Sequence, residues 1–274
     1  MTWIRRIFDF YLDASIHVAL AIICLVQVTG ISLNISVPVT LIIFIFFGSL
    51  SCYNFVKYGV EAEKYILVAN SYHKNIQFFS LGSLIVALFQ LLYLSEEIGI
   101  ALLVLGAITG LYALPVLPKH KNFRSFSGLK ILIVATVWAG TTVTLPVISQ
   151  QMELTWDVWV ETAQRVLLVL ILLVPFEIRD LKYDDVGLKT LPQRLGVKRT
   201  KVIGVIWTIS FLLLSFVMEN ESMLALCSKV ILSFVLILLT LRAGVNQGRY
   251  FASFWVEAIP IFWLGFLWMG RNFF

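Results

Sequence analysis

Apolar residues occur along this chain in long runs, and the short segments between the runs carry nearly all of the charge. A helix needs about 20 predominantly apolar residues to cross a hydrocarbon core roughly 30 Å thick. Runs of about this length predict nine membrane-spanning helices, at residues 15–31, 37–53, 76–94, 98–117, 129–148, 160–176, 202–217, 224–241 and 251–269. We therefore expect an all-α, multi-pass membrane protein that forms a single domain over residues 1–274.

Basic residues are distributed unevenly between the two sides that nine spans define. Residues 1–13 form an amphipathic segment of a kind that lies at membrane surfaces. When this segment is placed inside, every Lys and Arg falls on the inner side except Arg165, Lys229 and Arg271. Positive residues favour the cytoplasmic side. The pattern thus predicts a protein of the cell (inner) membrane whose N-terminus and functional site are cytoplasmic.

Composition agrees with this interpretation and narrows the chemistry. The chain is 59% hydrophobic and 14% charged, whereas soluble domains have roughly 45–50% apolar and about 25% charged residues. Topology explains the net charge of +5, so we expect the lipid bilayer, and no nucleic acid, as a partner. The scattered cysteines and histidines form no CxxC or HxxxH pair, which disfavours a histidine-based zinc or haem site.

A cluster of acidic residues follows the run at 160–176: Glu177, Asp180, Asp184 and Asp185. At about 100° per residue on a helix, the first three fall within roughly 60° of one another, and Asp185 lies about 80° to one side. Clusters of carboxylate oxygens suit Mg²⁺, which commonly binds to one or two carboxylates together with substrate phosphates. The pattern predicts a magnesium site on this face.

The acidic cluster also has a simpler interpretation, in which the acids pair with Arg179, Lys182 and Lys189 in a solvated loop. The acids begin inside the end of a span, next to Pro175, where an ionisable group is a functional candidate by default. This position favours a functional site. On a continuing helix, Arg179 and Lys182 point away from the acidic face, which favours a membrane-anchoring role for both.

The acidic segment resembles the second acidic motif of the UbiA-type intramembrane polyprenyltransferases. The matching residues are Glu177-Ile178-Arg179-Asp180, Asp184, Gly187, Thr190-Leu191-Pro192 and Arg194-Leu195-Gly196. A Tyr-x-x-Pro segment of the same family is matched by Tyr112 and Pro115, followed by basic residues. The resemblance implies nine helices around a central cavity that opens to the cytoplasm.

The resemblance also implies a reaction. An isoprenoid chain would pass from a polyprenyl diphosphate to a hydrophobic acceptor, which is an aromatic ring, a quinone precursor, a porphyrin-type ring or a lipid. Mg²⁺ would bridge the aspartates and the diphosphate. In these terms Asp180 and Asp184 are catalytic metal ligands and Glu177 assists them.

Departure of a diphosphate builds negative charge that fixed cations stabilise. Lys119 and Arg124 are the candidate catalytic cations, and Lys121 is a candidate for substrate binding, as is Tyr112 from the Tyr-x-x-Pro segment. Each of the three basic residues serves equally well, taken singly, as an ordinary positive anchor at the membrane surface.

The first acidic motif of the family, Asn-x-x-x-Asp-x-x-x-Asp, differs here because its positions hold Asn54, Tyr58 and Ala62. Glu61 lies about 20° from the helical face of Asn54 and is a candidate replacement metal ligand. We predict substrate binding for Asn54 and Tyr58. The missing aspartates leave open an alternative, a non-catalytic relative that binds isoprenoid lipids. A transporter is disfavoured because the sequence has no internal repeat or paired broken helices.

One further carboxylate, Glu257, lies within the last apolar run. We predict that it binds substrate, and the alternative is a structural ion pair with Arg249 or Arg242. Trp138, in the fifth run, either lines an isoprenoid channel or packs between helices, and aromatic residues in membrane helices more often do the latter.

Overall fold

The computed structural model describes residues 3–60, 71–113, 129–184 and 188–271. Within these ranges the regular structure is entirely helical, which confirms the predicted all-α class. Every predicted apolar run coincides with a helix. The α-helices are α1 (Trp3–Asp13), α2 (Ile16–Ser32), α3 (Val39–Asn54), α4 (Ser71–Leu91), α5 (Glu96–Ala113), α6 (Leu129–Ala139), α7 (Leu145–Ser149), α8 (Trp156–Asp180), α9 (Leu191–Leu214), α10 (Met223–Arg242) and α11 (Ile259–Arg271).

The lengths and apolar character of these helices make this an integral membrane protein. Among the described residues, 7 helices can cross a membrane, and an eighth crossing is possible where α1 and α2 meet at a bend of 56°. α5 corresponds to the fourth predicted run, whose last residues lie outside the described ranges. The count of nine spans therefore stays a prediction.

α8 is the centre of the bundle and has the largest buried share of any span. It packs against α6, α9 and α10, and Leu168 and Ile171 on α8 join the largest apolar cluster together with Leu25, Phe211 and Trp263. Residues 166–176 of α8 are apolar without interruption, and a helical stretch that is apolar on all sides is suited to a buried position. α4 and α5 lie at the periphery and leave large apolar side chains exposed, among them Ile85, Leu88, Ile100 and Leu103.

Three π-helical turns interrupt the α-helical geometry of the described residues, at Phe55–Val60 after α3, at Gly140–Thr144 between α6 and α7, and at Phe251–Val256 before α11. Such turns hold one more residue than an α-helical turn, so they change the direction in which the following side chains point. They occur frequently at functional sites.

The connection between α1 and α2 is fixed by polar side chains of the chain that follows α3. The Asn54 Nδ2 group donates to the Ala14 carbonyl at 3.0 Å, and the Tyr58 hydroxyl and the Lys57 ammonium donate to the Asp13 carbonyl at 3.0 and 3.2 Å. Ser15 has a left-handed backbone, with a φ of 60°. These contacts hold α1 across one end of the bundle.

A buried ionic network occupies the other end of the bundle. Arg165 on α8 pairs with Glu161 at 2.8 Å, and Lys229 on α10 lies 3.6 Å from Glu161 and 2.7 Å from Glu221. Lys229 also donates to the Gln164 side chain at 2.8 Å. Two of the three cations that did not follow the charge asymmetry, Arg165 and Lys229, are thus packed against acids inside the protein.

Candidate active site

A cavity of about 540 Å³ opens between α2, α3, α6, α8 and the segment 249–260, at the end of the bundle that α1 crosses. The apolar part of its wall comes mainly from α6 and α8, with Val134, Val137, Trp138, Val169, Leu172, Leu173 and Phe176. Charged residues line the remainder. The cavity therefore combines a surface for a hydrocarbon chain with a surface for an ionic group.

The described part of the wall holds equal numbers of acidic and basic side chains. The acids are Asp13, Glu177, Asp180 and Glu257, and the bases are Lys57, Lys130, Arg179 and Arg249. The sequence predicted the last three of these acids as site residues. It singled out none of these four bases for binding, and its own candidate cations, Lys119, Lys121 and Arg124, lie outside the described residues.

The second acidic motif reaches the cavity at the C-terminal end of α8. Glu177 is buried and accepts a hydrogen bond from the Lys130 ammonium at 3.1 Å. Arg179 binds both oxygens of Asp180, with its Nε 2.7 Å from one and its Nη2 3.2 Å from the other. Glu177 and Asp180 are thus each paired with a basic side chain of the protein.

One prediction about this motif needs correction, the direction of Arg179, and the helical geometry assumed for Asp184 stops short of it because α8 ends at Asp180. Angles for a continuing helix do not apply beyond that residue, and Asp184 lies in the following turn, with its N–H donating to the Asp180 carbonyl at 2.8 Å. The charges of Asp180 and Asp184 still act on Glu177. Arg179 was predicted to point away from the acids, and instead it lines the cavity and lies over the Phe176 ring.

The Thr-Leu-Pro part of the motif returns the chain into α9. The Thr190 N–H donates to the Gln193 side chain at 3.0 Å, and Pro192 lies in the first turn, where a missing N–H costs no helical bond. Gln193 also donates to the Asp184 carbonyl at 3.4 Å. Gly196 has a φ of 77°, a value that favours glycine. These residues position the turn that carries Asp184.

Asn54 and Tyr58, the two first-motif residues that the structure describes, do not line the described wall of the cavity. The Asn54 side chain is buried and donates to Ala14 and to the Ser80 hydroxyl at 2.8 Å, while the Tyr58 hydroxyl bonds to Asp13. Both support the α1–α2 connection, because its carbonyl groups need donors. The Asn54 Oδ1 atom accepts no hydrogen bond from any residue that the structure describes.

Asp13, in the last turn of α1, lines the cavity and was not predicted. Its carboxylate accepts from the Tyr72 hydroxyl at 2.9 Å and lies 3.6 Å from the Lys57 ammonium. One turn earlier, Asp9 binds Tyr250 at 2.8 Å and Arg249 at 3.3 Å. Their spacing of four residues places both acids on one face of α1. This spacing is the sequence signal that could have identified Asp9 and Asp13 as a pair. Their approach to the cavity depends on the bend.

Glu257 faces the cavity one residue after the π-helical turn at Phe251–Val256. Its carboxylate forms neither a hydrogen bond nor an ion pair with any residue in the described ranges. The predicted alternative of a structural pair with Arg249 or Arg242 is therefore not what the structure shows. Arg249 pairs with Asp9 instead.

The other predicted residues lie where the structure gives no side-chain position. Tyr112 is in the last turn of α5, and its side chain is not described. The candidate cations Lys119, Lys121 and Arg124, and the candidate ligand Glu61, fall outside the described residues.

The chemistry of the described residues fits a magnesium ion bound together with a phosphate-containing ligand. In the described ranges no three His, Cys, Asp or Glu side chains are arranged to hold a metal by themselves. Mg²⁺, however, usually keeps several waters and uses only one or two carboxylates plus substrate phosphates. Glu177 and Asp180 supply two carboxylates on the cavity wall, which matches that mode of binding.

Comparison with known proteins yields structural neighbours only. No protein-family model matches the sequence, and no curated protein matches it. The chain is similar to a UbiA homolog from Archaeoglobus fulgidus bound to GPP and Mg²⁺, with a TM-score of 0.61, 14% identity and coverage of 94% of this chain and 98% of that chain. The same homolog bound to DMAPP and Mg²⁺ matches with a TM-score of 0.61 and 12% identity over 95% of this chain and 97% of that one.

A structure from work on digeranylgeranylglyceryl phosphate synthase in membranes is also similar, with a TM-score of 0.56 and 13% identity over 96% of each chain. Identities this low show the fold alone. The fold and cavity define an all-α integral membrane protein with a cavity that has both apolar and charged walls. More particularly, the chain has the helical membrane fold of the UbiA homologs.

Proposed function

We propose that this protein is an intramembrane prenyltransferase, which transfers an isoprenoid chain from a polyprenyl diphosphate to a hydrophobic acceptor. The observation that carries the proposal is the composition of one cavity, where apolar residues of α6 and α8 meet carboxylates and cations. A molecule with a long apolar chain and a highly charged head matches both parts. Structures with the same fold were bound to GPP or DMAPP with Mg²⁺.

The diphosphate would bind at the charged part of the cavity, and its chain would lie along the apolar part towards Trp138. Lys57, Lys130, Arg179 and Arg249 are the available cations in the described wall. Hydrogen bonds between cations and phosphate oxygens are stronger than neutral ones, so these residues would bind and orient the head group. We propose that Lys119, Lys121 and Arg124 add to this set and that Tyr112 contacts substrate.

Glu177 and Asp180, with Asp184 beside them, would hold Mg²⁺, and we propose Glu61 as an additional ligand from the first-motif segment. Bound there, Mg²⁺ would neutralise negative charge on the departing diphosphate. To reach this arrangement, Lys130 and Arg179 would exchange their carboxylate partners for phosphate oxygens. The Arg179–Asp180 pair is partly exposed, with side chains 31% and 30% exposed, which makes its exchange inexpensive; in the other pair Lys130 is the more exposed partner and Glu177 is buried.

The same proposal includes the topology: one domain over residues 1–274, with nine spans around a cavity that opens to the cytoplasmic side of the cell membrane. The charge asymmetry supports it, since Arg165 and Lys229 are buried in ion pairs and are not loop residues facing the wrong side. The acceptor belongs to the aromatic, quinone-precursor, porphyrin-type or lipid class, and no residue described here selects among these.

The experiment uses purified protein in proteoliposomes with labelled geranylgeranyl or farnesyl diphosphate, Mg²⁺ and a panel of acceptors. We expect saturable donor binding that EDTA weakens and transfer to at least one acceptor. Folded protein that neither binds a donor in a Mg²⁺-dependent manner nor transfers a chain would contradict the proposal.

One observation favours a second function, a protein that binds isoprenoid lipids without turnover. Tyr58 stands at a position where the family has an aspartate, and its hydroxyl is engaged with Asp13. In this case donor binding persists and transfer is absent with every acceptor. Turnover gained by the combined Tyr58→Asp and Ala62→Asp variant would identify a weakened enzyme site instead.

A further inference from the structure

The four carboxylates in the described cavity wall differ in their partners. Asp13 has Lys57, Glu177 has Lys130 and Asp180 has Arg179. Among the residues of the described ranges, Glu257 has no such cation within 4.0 Å and receives no hydrogen bond. It is therefore the carboxylate whose oxygens remain available to a ligand inside the cavity.

The position of Glu257 is fixed by the π-helical turn that precedes it. The Glu257 N–H donates to the Ala252 carbonyl, five residues back, at 3.2 Å. The turn is held from α2, where the His17 Nε2 atom donates to the Phe254 carbonyl at 3.0 Å and the His17 ring stacks on the Phe254 ring. With Nε2 carrying the hydrogen, Nδ1 of the neutral ring accepts from the Tyr11 hydroxyl at 2.6 Å.

The surroundings of Glu257 combine apolar wall with remote positive charge. Val18 and Pro260 belong to the same cavity wall, and the charges of Lys57 and Arg179 act on the Glu257 carboxyl group without forming an ion pair. A polar group withdrawn from water is costly unless it gains a hydrogen bond or loses its charge. A protic ligand beside Glu257 would supply that hydrogen bond, and a proton accepted from the ligand would remove the charge.

We propose that Glu257 is the general base of the transfer reaction, which takes the proton that the acceptor loses. This inference rests on the proposed prenyltransferase function. In the step, the bond between the allylic carbon and the diphosphate oxygen breaks, and its electron pair leaves with the diphosphate. The allylic carbon bonds to the nucleophilic atom of the acceptor. The proton on that atom, whether it was a hydroxyl, an amine or a ring carbon, passes to a Glu257 oxygen.

The acids of the cavity then have two different roles, one at the donor and one at the acceptor. The paired acids Glu177 and Asp180 serve the donor end, where negative charge accumulates. Glu257 comes from a different helix and serves the acceptor, so its loss affects the step after donor binding. The substrate class is thereby narrowed to acceptors that carry a removable proton at the atom that is prenylated.

The test compares Glu257→Gln with wild type in proteoliposomes. Removing a general base reduces the rate by about 10²–10⁴-fold, so we expect a loss of that size in transfer, with the dissociation constant of labelled geranylgeranyl diphosphate unchanged. The acidic limb of the pH profile of kcat/KM should disappear. Lys57, Arg179 and Tyr11 are the other charged or titratable groups that interact with Glu257, so their variants should shift this limb and not abolish it.

A chemical rescue experiment separates this role from a structural one. Glu257→Ala leaves space for a small carboxylate, so added formate should restore part of the transfer rate. Glu97→Ala is the matched control, because Glu97 lies in the first turn of α5, away from the cavity, and formate should not change its rate.

Three outcomes would overturn the inference. Transfer by Glu257→Gln at the wild-type rate with an unchanged pH profile would remove Glu257 from catalysis. A rate loss accompanied by lower thermal stability and weaker donor binding, without formate rescue, would show a structural residue. In both cases wild type still transfers, so the proposed function stands. Wild type that neither binds donor nor transfers would contradict the function and this inference together.

Discussion

The two ends of the helix bundle contain similar charged residues in different arrangements. At one end, Arg165 and Lys229 are packed against Glu161 and Glu221, and the side chains of Arg165, Lys229 and Glu161 are each 1% exposed. At the other end, charged pairs line a cavity, and the basic side chains are much more open, such as Arg249 at 56%. The first set is enclosed by protein, whereas the second faces space that a ligand can enter.

The difference distinguishes a structural use of charge from a binding use. In the buried network the Arg165 guanidinium also donates to the Leu25 carbonyl and to the Thr29 hydroxyl, so its hydrogen-bonding capacity is largely filled within the protein. Two of the cavity pairs are partly exposed on both sides, with side-chain exposures of 42% and 33% for Lys57 and Asp13 and of 31% and 30% for Arg179 and Asp180, and exposed pairs contribute only about 0–1 kcal/mol. These charges can therefore change partners at a lower cost than the charges of the buried network.

The largest expected effect is on stability, from Arg165→Leu in the buried network. Removing one partner leaves Glu161 short of a counter-charge and should lower the free energy of unfolding by about 3–5 kcal/mol. Chemical denaturation in detergent measures the change, with Arg271→Leu as the control for a basic residue outside the network. An unchanged midpoint would mean that the network is not structural. Transfer per folded molecule should stay close to wild type.

The next effect is on activity, from Asp180→Asn at the cavity. Weaker metal and diphosphate binding should reduce transfer by at least roughly 100-fold, the usual cost of losing a charge-stabilising group. Single-turnover transfer at saturating Mg²⁺ measures this, and thermal stability should change little because the Asp180 pair is partly exposed. Asp185→Asn is the matched control and should remain nearly fully active. Equal losses in both variants would contradict a specific role for Asp180.

A smaller effect is expected for Lys57→Met, which removes one cation from the cavity mouth. A lost charge-assisted hydrogen bond of about 1.5–3 kcal/mol should weaken donor binding by roughly 10- to 100-fold, while Asp13 keeps its bond from Tyr72. The control is Lys74→Met, since Lys74 lies beside Phe78 on α4 and outside the cavity wall. Binding of labelled donor with and without EDTA would show how much of the affinity comes from fixed cations. An unaltered affinity would exclude Lys57 from the head-group site.

The smallest effect concerns pH and the network residue Glu221, in the loop before α10. Burial raises the pKa of this carboxyl above its ordinary value of 4.5, against the opposing influence of Lys229. A raised pKa means that the folded protein holds the proton more tightly than the unfolded chain does, so stability declines as pH rises through this window. In the Glu221→Gln variant this pH-dependent loss in the free energy of unfolding should be smaller than in wild type, by under about 1 kcal/mol. Thermal unfolding between pH 4 and 7 measures the difference. An identical slope in wild type and variant would contradict this account.

The hydrophobic pattern located the apolar helices in the described part of the chain, because a span must be apolar over most of its length, and the position of Glu177, Asp180 and Glu257 in or beside these runs made them candidates. It did not reveal Asp13, whose place at the cavity depends on the bend between α1 and α2. Helical angles misplaced Arg179 because they give only the direction in which a side chain leaves the helix, and the long Arg179 side chain turns to bind both oxygens of Asp180. Periodicity describes faces of continuous helices and carries no information about where a helix stops or how two helices cross.

The buried network has a consequence for how the protein enters the membrane. An isolated α8 would expose Glu161 and Arg165, which lie in its first half, to lipid, and charged residues inside a span are costly, up to about 2.5–3.5 kcal/mol each at its centre. α2 is synthesised earlier and offers the Leu25 carbonyl and Thr29 to Arg165 and the Ser32 hydroxyl to Glu161. α8 is therefore best inserted beside an α2 that is already in place. Lys229 joins the ionic network only after α10 has been synthesised. The helices that form the network therefore assemble in the order in which they are synthesised.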